Sequence, residues 1–221
     1  MKTFQLYNAQ IKFGSKELLQ NVSFTLSTGE VLGIFGRNGS GKSTLLKMLF
    51  GTQQGGSIGA AIDSKIFNPK ENILQQHIGY VPQHEFVPKQ PKVRDIIPMY
   101  YPDEETQDKV FYTKGIHKLT AKRVGELSEG ERKFFEVILV GSGSHPFLFL
   151  DEPFSMIDPL KKDLIKEFLL QRKETKGIII TDHYYDDVLQ MTSKNIVLKD
   201  GKSFTISSVE NLKEFEYLSK N

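Results

Sequence analysis

The sequence predicts an α/β fold with a central mixed, largely parallel sheet. Two short apolar runs, Val31-Leu32-Gly33-Ile34-Phe35 and Phe147-Leu148-Phe149-Leu150, are of strand length and continuous rather than alternating, as in strands buried on both faces. A third run, Ile178-Ile179-Ile180-Thr181, follows a helical stretch from Pro159 to Arg172, so strand and helix alternate along the chain. The first run also leads directly into a glycine-rich turn and then a helical pattern.

From the N-terminus, residues 1–30 alternate in places between polar and apolar (Phe4, Leu6; Val22, Phe24, Leu26), which predicts an antiparallel sheet. Gly36-Arg37-Asn38-Gly39-Ser40-Gly41-Lys42-Ser43-Thr44 is a full match to G-x-x-x-x-G-K-[ST], the phosphate loop. A helix is expected from Ser43, with Leu45, Leu46 and Leu49 on its apolar side. The glycines let backbone N–H groups turn inward around phosphates, and the helix N-terminus adds a partial positive charge. Lys42 supplies a point charge for the β- and γ-phosphates, and the Ser43 hydroxyl is a ligand for Mg²⁺.

The run ending at Leu150 is followed by Asp151 and Glu152. A carboxylate in the place of Asp151, at the C-terminal end of a central parallel strand, holds Mg²⁺ in phosphate-loop ATPases. Glu152 is then placed to polarise an attacking water as a general base. ATP with Mg²⁺ is therefore the expected cofactor. Between the two motifs, Leu127-Ser128-Glu129-Gly130-Glu131 precedes a helix expected over residues 129–140. Ser128 is a strong N-cap residue, and an exposed helix N-terminus is an anion site suited to a γ-phosphate. The same Ser-x-x-Glu also reads as a plain capping box opening an ordinary helix.

In this order, from residue 31 to residue 183, the motifs resemble those of the ATP-binding subunit of ABC transporters. That family carries Leu-Ser-Gly-Gly-Gln where this chain has Leu127 to Glu131, so three of the five positions match, and 23 residues separate Ser128 from Asp151. The resemblance implies a phosphate-loop NTPase fold, residues 1–221 forming a single ATPase domain. Its antiparallel β-subdomain would cap the nucleotide, and a small helical subdomain over about 84–140 would dock membrane subunits. It implies that Ser128 and Gly130 meet the γ-phosphate of ATP held by a second protomer. Gln83, after Ile78-Gly79-Tyr80-Val81-Pro82, would reach Mg²⁺ and the attacking water. His183, in Thr181-Asp182-His183, would hydrogen-bond the γ-phosphate and orient Glu152. Phe13 stands where the family has an aromatic that stacks on adenine, with a core place in the first strand as the alternative. Ser155-Met156-Ile157-Asp158 is similar to the loop that carries an Asp across the dimer contact.

Two departures stand out. Glu129 and Glu131 replace the Gly and Gln of the pentapeptide, and two carboxylates beside a bound phosphate oppose it unless they turn away or pair with Arg132 and Lys133. The span from Gln83 to Ser128 is also short, and Pro88, Pro91, Pro98 and Pro102 interrupt it. Its aromatics Tyr100, Tyr101, Phe111 and Tyr112 form either a subdomain core or a docking surface.

Composition narrows the function. With 221 residues, 38% hydrophobic and 25% charged, the chain suits one compact domain with a sizeable core. Lys and Arg number 29 against 27 Asp and Glu, so no polybasic footprint points to nucleic acid. The absence of cysteine excludes disulfides and thiolate metal sites. No apolar run approaches the ~18 residues needed to span a bilayer, so another chain must supply any membrane path. Near the C-terminus, Asn195–Lys199 and Lys202–Ile206 read as strands joined by the hairpin dipeptide Asp200-Gly201. With 38 residues after His183, no appended regulatory domain is expected.

The expectation is an ATP-hydrolysing transporter subunit, cytoplasmic and peripheral on the cytoplasmic face of the cell membrane. It would work as a head-to-tail homo- or heterodimer around two ATP molecules and drive membrane-spanning subunits. A soluble ABC-type ATPase acting on the ribosome or DNA is the alternative, disfavoured by the single motif set and the lack of a heptad run. A regulatory module that binds ATP without turnover is a third reading, opposed by Glu152 and His183.

Overall fold

The computed structural model describes residues 1–206 together with Leu212 and Phe215. The chain opens with β1 (Thr3–Phe13), β2 (Lys16–Leu19) and β3 (Phe24–Ser27), and β4 (Val31–Phe35) then leads through the phosphate loop into α1 (Lys42–Phe50). β5 (Gly56–Ile62), β6 (Lys65–Ile66), α2 (Asn72–Gln75) and β7 (Ile78–Val81) follow. A helical stretch holds α3 (Val93–Tyr100), α4 (Glu104–Phe111) and α5 (Glu129–Gly141). The rest is β8 (Phe147–Asp151), α6 (Pro159–Lys173), β9 (Gly177–Thr181), α7 (Tyr185–Leu189), β10 (Lys194–Lys199) and β11 (Lys202–Ile206).

Two sheets result. The N-terminal one is antiparallel, with β1 pairing β2, β3 and β5, and β5 pairing β6. A register shift in the β1–β5 pairing between Leu6 and Asn8 changes the phase of alternation, so Phe4, Leu6, Ala9 and Ile11 are all buried. The central sheet has the order β11-β10-β4-β9-β8-β7. Its pairs from β10 through β7 are parallel, and only the β10–β11 hairpin is antiparallel. Asp200 and Gly201 both have positive φ, at 51° and 76°, which a two-residue primed hairpin turn requires.

The apolar central strands bury both faces, one residue to each side in turn. Leu32, Ile34, Phe147, Phe149 and Ile179 pack toward the antiparallel sheet and α1, in one cluster with Phe4, Leu45 and Leu49. Val31, Phe35, Leu148, Leu150, Ile178 and Ile180 pack on the opposite face with Phe134, Val137, Ile165 and Leu169 of α5 and α6. Phe4 ties the two sheets, its ring lying 5.6 Å from Phe147 and 6.0 Å from Phe149 in edge-on contacts. Val93, Ile97, Val110 and Ile116 of the helical stretch join the second cluster.

The aromatic group of that stretch divides. Tyr101 and Phe111 pack against the core, whereas Tyr100 and Tyr112 are 48% and 83% exposed. Core and outward-facing surface thus each take two of the four. Among the described residues no helix is long and apolar enough to cross a membrane. Parallel pairing brings the carboxyl ends of β4, β7, β8 and β9 to one edge, the position of ligand crevices in open α/β sheets. The phosphate loop, Gln83, Asp151-Glu152 and Asp182-His183 all follow those ends.

Candidate functional site

The phosphate loop runs from the end of β4 to the start of α1, and Gly41 is the N-cap in left-handed conformation. A Cβ at Gly41 would lie 2.8 Å from Leu19 Cδ2, and its φ of 101° already excludes most side chains. Leu18 and Leu19 of the N-terminal sheet therefore bound the loop's path at Gly41. Arg37, Asn38 and Gly39 are exposed, and with Gly36, Ser40, Lys16 and Gly201 they line a cleft of about 450 Å³. Thr44 lies in the first turn of α1. Inside the loop, Lys42 Nζ donates to the backbone carbonyls of Gly36 at 2.6 Å and Arg37 at 3.5 Å. Burial lowers the pKa of Lys42, and the nearby carboxylates of Glu152, Asp151 and Asp182 act in the opposite sense.

Asp151, at the end of β8, is completely buried. Its Oδ1 accepts hydrogen bonds from the hydroxyls of Ser43 at 3.1 Å and Thr181 at 2.7 Å, and its Oδ2 accepts from Tyr80 at 3.2 Å. Burial first, then the Asp151 charge, pushes the Tyr80 phenol far above its ordinary pKa, so Tyr80 stays a donor. The Ser43 hydroxyl and Asp151 carboxylate are hard oxygen donors of the kind Mg²⁺ takes, with waters and phosphate oxygens filling the remaining positions. Among the described residues no group of three His, Cys, Asp or Glu side chains forms a metal cage. The donor set thus suits a cation delivered with a phosphate ligand rather than one held by protein alone.

Glu152 follows with φ of 55°, a left-handed conformation that costs a non-glycine residue on the order of 1–3 kcal/mol. Its N–H donates to the Thr181 carbonyl at 2.7 Å. Its carboxylate lies between two side chains, 2.9 Å from His183 Nε2 and 3.0 Å from Gln83 Nε2. Asp182 ties the surrounding loops together, its carboxylate accepting from the N–H groups of Phe154 at 2.7 Å and Tyr184 at 3.0 Å. The structure therefore brings Lys42, Ser43, Gln83, Asp151, Glu152 and His183 into one connected constellation. Tyr80, Thr181 and Asp182 belong to it and are not marked by sequence. Tyr80 and Asp151 are 71 residues apart, and only the parallel pairing of β7 with β8 makes them neighbours.

Ser128 and Gly130 stand at the N-terminus of α5. Ser128 caps α5 in a closed capping box: its Oγ accepts from Glu131 N–H at 3.1 Å, and its own N–H donates to Glu131 Oε2 at 3.0 Å. Glu131 also pairs with Lys122 at 2.9 Å. Of the two alternatives, pairing with Arg132 and Lys133 is not the one Glu131 takes. Arg132 contacts Glu85, and Lys133 Nζ donates to the carbonyls of Pro82 and Gln83. Gly130 is buried, and a Cβ there would lie 3.2 Å from Met156 O and 3.3 Å from Ile157 Cα. Its smallness lets α5 approach the loop at 155–158. Asp158 of that loop caps α6 by accepting from Lys161 N–H at 3.1 Å. Phe13, at the end of β1, is 52% exposed, so it is not a core residue of the first strand.

A buried carboxylate beside a phosphate loop, with a second carboxylate after it, defines a phosphate-loop nucleotide hydrolase. A family model described as "ABC transporter" matches residues 19–155, and the chain belongs to that family as an ATP-binding, ATP-hydrolysing subunit. The lipopolysaccharide export system ATP-binding protein LptB of Acidithiobacillus ferridurans is 28% identical over 94% of this chain and 92% of its own length. An uncharacterized ABC transporter ATP-binding protein of Methanocaldococcus jannaschii is 26% identical over 90% of this chain and 75% of its own. Among solved structures, a nucleotide-free ATP-binding cassette from an ABC transporter superposes with a TM-score of 0.83 at 22% identity, covering 99% of this chain and 96% of its own. That last likeness concerns the fold.

Proposed function

We propose that the chain, acting as one ATPase domain over residues 1–221, hydrolyses Mg²⁺–ATP within a head-to-tail dimer and so drives membrane-spanning subunits. The observation that carries this reading is Glu152, strained in its backbone and bracketed by Gln83 and His183 beside Lys42 and Asp151. Glu152 accepts the proton of a water whose oxygen attacks the γ-phosphorus, while the bond from that phosphorus to the β–γ bridging oxygen breaks. His183 holds the Glu152 carboxylate in place and reaches the γ-phosphate. Ser43, Asp151 and Gln83 would hold Mg²⁺, which would supply charge neutralisation to the β- and γ-phosphates. Lys42 exchanges the Gly36 and Arg37 carbonyls for phosphate oxygens, aided by the N–H groups of residues 36–44. Phe13, exposed at the hairpin tip, stacks on adenine.

Ser128 and Gly130, at the N-terminus of α5, complete the site of the second protomer. A groove of about 490 Å³ lined by Ile73, Tyr80, Tyr100, Tyr101 and Thr106 separates the central sheet from the helical stretch. This groove, with the half-exposed Tyr100 in its lining, supports the reading that a membrane-spanning partner docks here, with the protein peripheral on the cytoplasmic face of the cell membrane.

Replacing Glu152 by Gln tests the chemistry. The amide cannot take the proton, so turnover should fall by about 10²–10⁴-fold with ATP binding kept. Lys42→Ala should instead weaken binding itself. Steady-state hydrolysis unchanged in Glu152→Gln would remove Glu152 from the catalytic role.

A further inference from the structure

Gln83 sits two residues beyond β7, on a stretch from Pro82 to Lys92 that belongs to no helix or strand. Residues 89–92 of this stretch are held by residues 123–125, and residues 82–86 are held by α5. Lys133 Nζ donates to two successive backbone carbonyls, Pro82 at 2.7 Å and Gln83 at 2.8 Å. Glu136, almost fully buried, accepts the Phe86 N–H at 3.2 Å and lies 3.9 Å from Lys133. Arg132 contacts Glu85. Residues 82, 83, 85 and 86 are thus gripped by positions 132, 133 and 136, adjacent on the helix surface.

We propose that Lys133 is a positioning residue for hydrolysis, clamping the Gln83 backbone to α5 so that Gln83 follows the helix that begins at Ser128. At a rise of ~1.5 Å per residue, Lys133 lies only about 7 Å along the axis from that N-cap. The clamp uses main-chain carbonyls, so it fixes where Gln83 stands without competing for its side chain, which remains on Glu152. A phosphate met by Ser128 of a protomer then moves the Gln83 of that same protomer, linking the two sites of a dimer through one helix. The assignment rests on the reading of Gln83 as a reactive-site residue, and the experiment separates the two.

Steady-state ATPase activity is measured on the full chain for Lys133→Met, Lys133→Arg, Gln83→Ala and the double variant Lys133→Met with Gln83→Ala. Misplacing a reacting group by an ångström costs up to about 10²-fold, so Lys133→Met should lower kcat by roughly 10–100-fold with KM for ATP within about twofold. Lys133→Arg, still able to donate to both carbonyls, should recover most of the loss. Because Lys133 acts through Gln83, the double variant should be no slower than Gln83→Ala alone. Folded Lys133→Met at wild-type kcat, while Gln83→Ala is slow, overturns the clamp and leaves the reading of Gln83 standing. Gln83→Ala at wild-type kcat overturns both. Losses that multiply in the double variant also overturn the clamp, since Lys133 then acts elsewhere. Should Lys133→Met not fold, Lys133→Gln keeps a shorter donor, and its kcat should fall between those of wild type and Gln83→Ala; a wild-type value overturns the clamp.

Discussion

Glu131 is a carboxylate in the first turn of α5, and the chain employs it locally. One oxygen closes the capping box with Ser128 and the other meets Lys122. The Lys122 contact and the Ser128 N–H hold its pKa below the usual carboxylate value against the opposing effect of burial. A Gln at this position keeps an acceptor for the Ser128 N–H, so Glu131→Gln should change folding stability by less than about 0.5 kcal/mol. Glu131→Ala loses the box and the pair and should cost about 1 kcal/mol in urea unfolding. Equal losses for the two would show that charge, not the box, carries the stabilisation. The box was legible as Ser-x-x-Glu. Its second partner was not, because Lys122 arrives through the irregular turn before Ser128. The same holds for Tyr80 and Thr181 at Asp151: nothing local marks a Tyr inside an apolar strand as the partner of a distant Asp.

Elements with an unbroken apolar run declared themselves in the sequence. β4, β8, β9 and the β10–β11 hairpin lie within a residue of where pattern and turn chemistry put them. β5 escaped, since Gly56-Ser57-Ile58-Gly59-Ala60-Ala61-Ile62 is poor in β-branched and aromatic residues and becomes a strand by pairing with β1. The junction of α5 with β8 was equally silent. There His145 is buried against Gly79 of β7, where even a methyl group would lie 2.3 Å from the imidazole, and burial lowers its pKa to about 3. The folded state therefore requires neutral His145, while the unfolded chain takes up its proton near the ordinary value of ~6.5. This contribution is complete above pH ~6.5 and is lost as pH falls from there toward 3. Burial raises the carboxyl pKa of Asp182 and Glu136, which pulls stability the opposite way on acidification, so the informative quantity is a difference. Between pH 7 and 5 the wild type should lose on the order of 2 kcal/mol more than His145→Phe. Parallel pH curves in denaturant unfolding would show that His145 is protonated in the fold.

At the scale of the whole molecule, one chain holds a phosphate loop with its carboxylates at one sheet edge and, at the start of α5, a capped helix N-terminus. The sequence displayed both halves, and the family resemblance assigned them to different protomers. The packing of α5 through Gly130 against the loop at 155–158 was not legible in the sequence. Mixing two damaged proteins tests this division most directly. One protomer carries Lys42→Ala and the other Ser128→Arg, at an exposed position. Each alone gives dimers with both composite sites damaged. In the mixed dimer both lesions fall in one site, and the other joins an intact loop to an intact signature. Mixed dimers, verified with two different tags, should regain part of the wild-type ATPase rate. Verified mixed dimers as inactive as their parents would contradict the shared site.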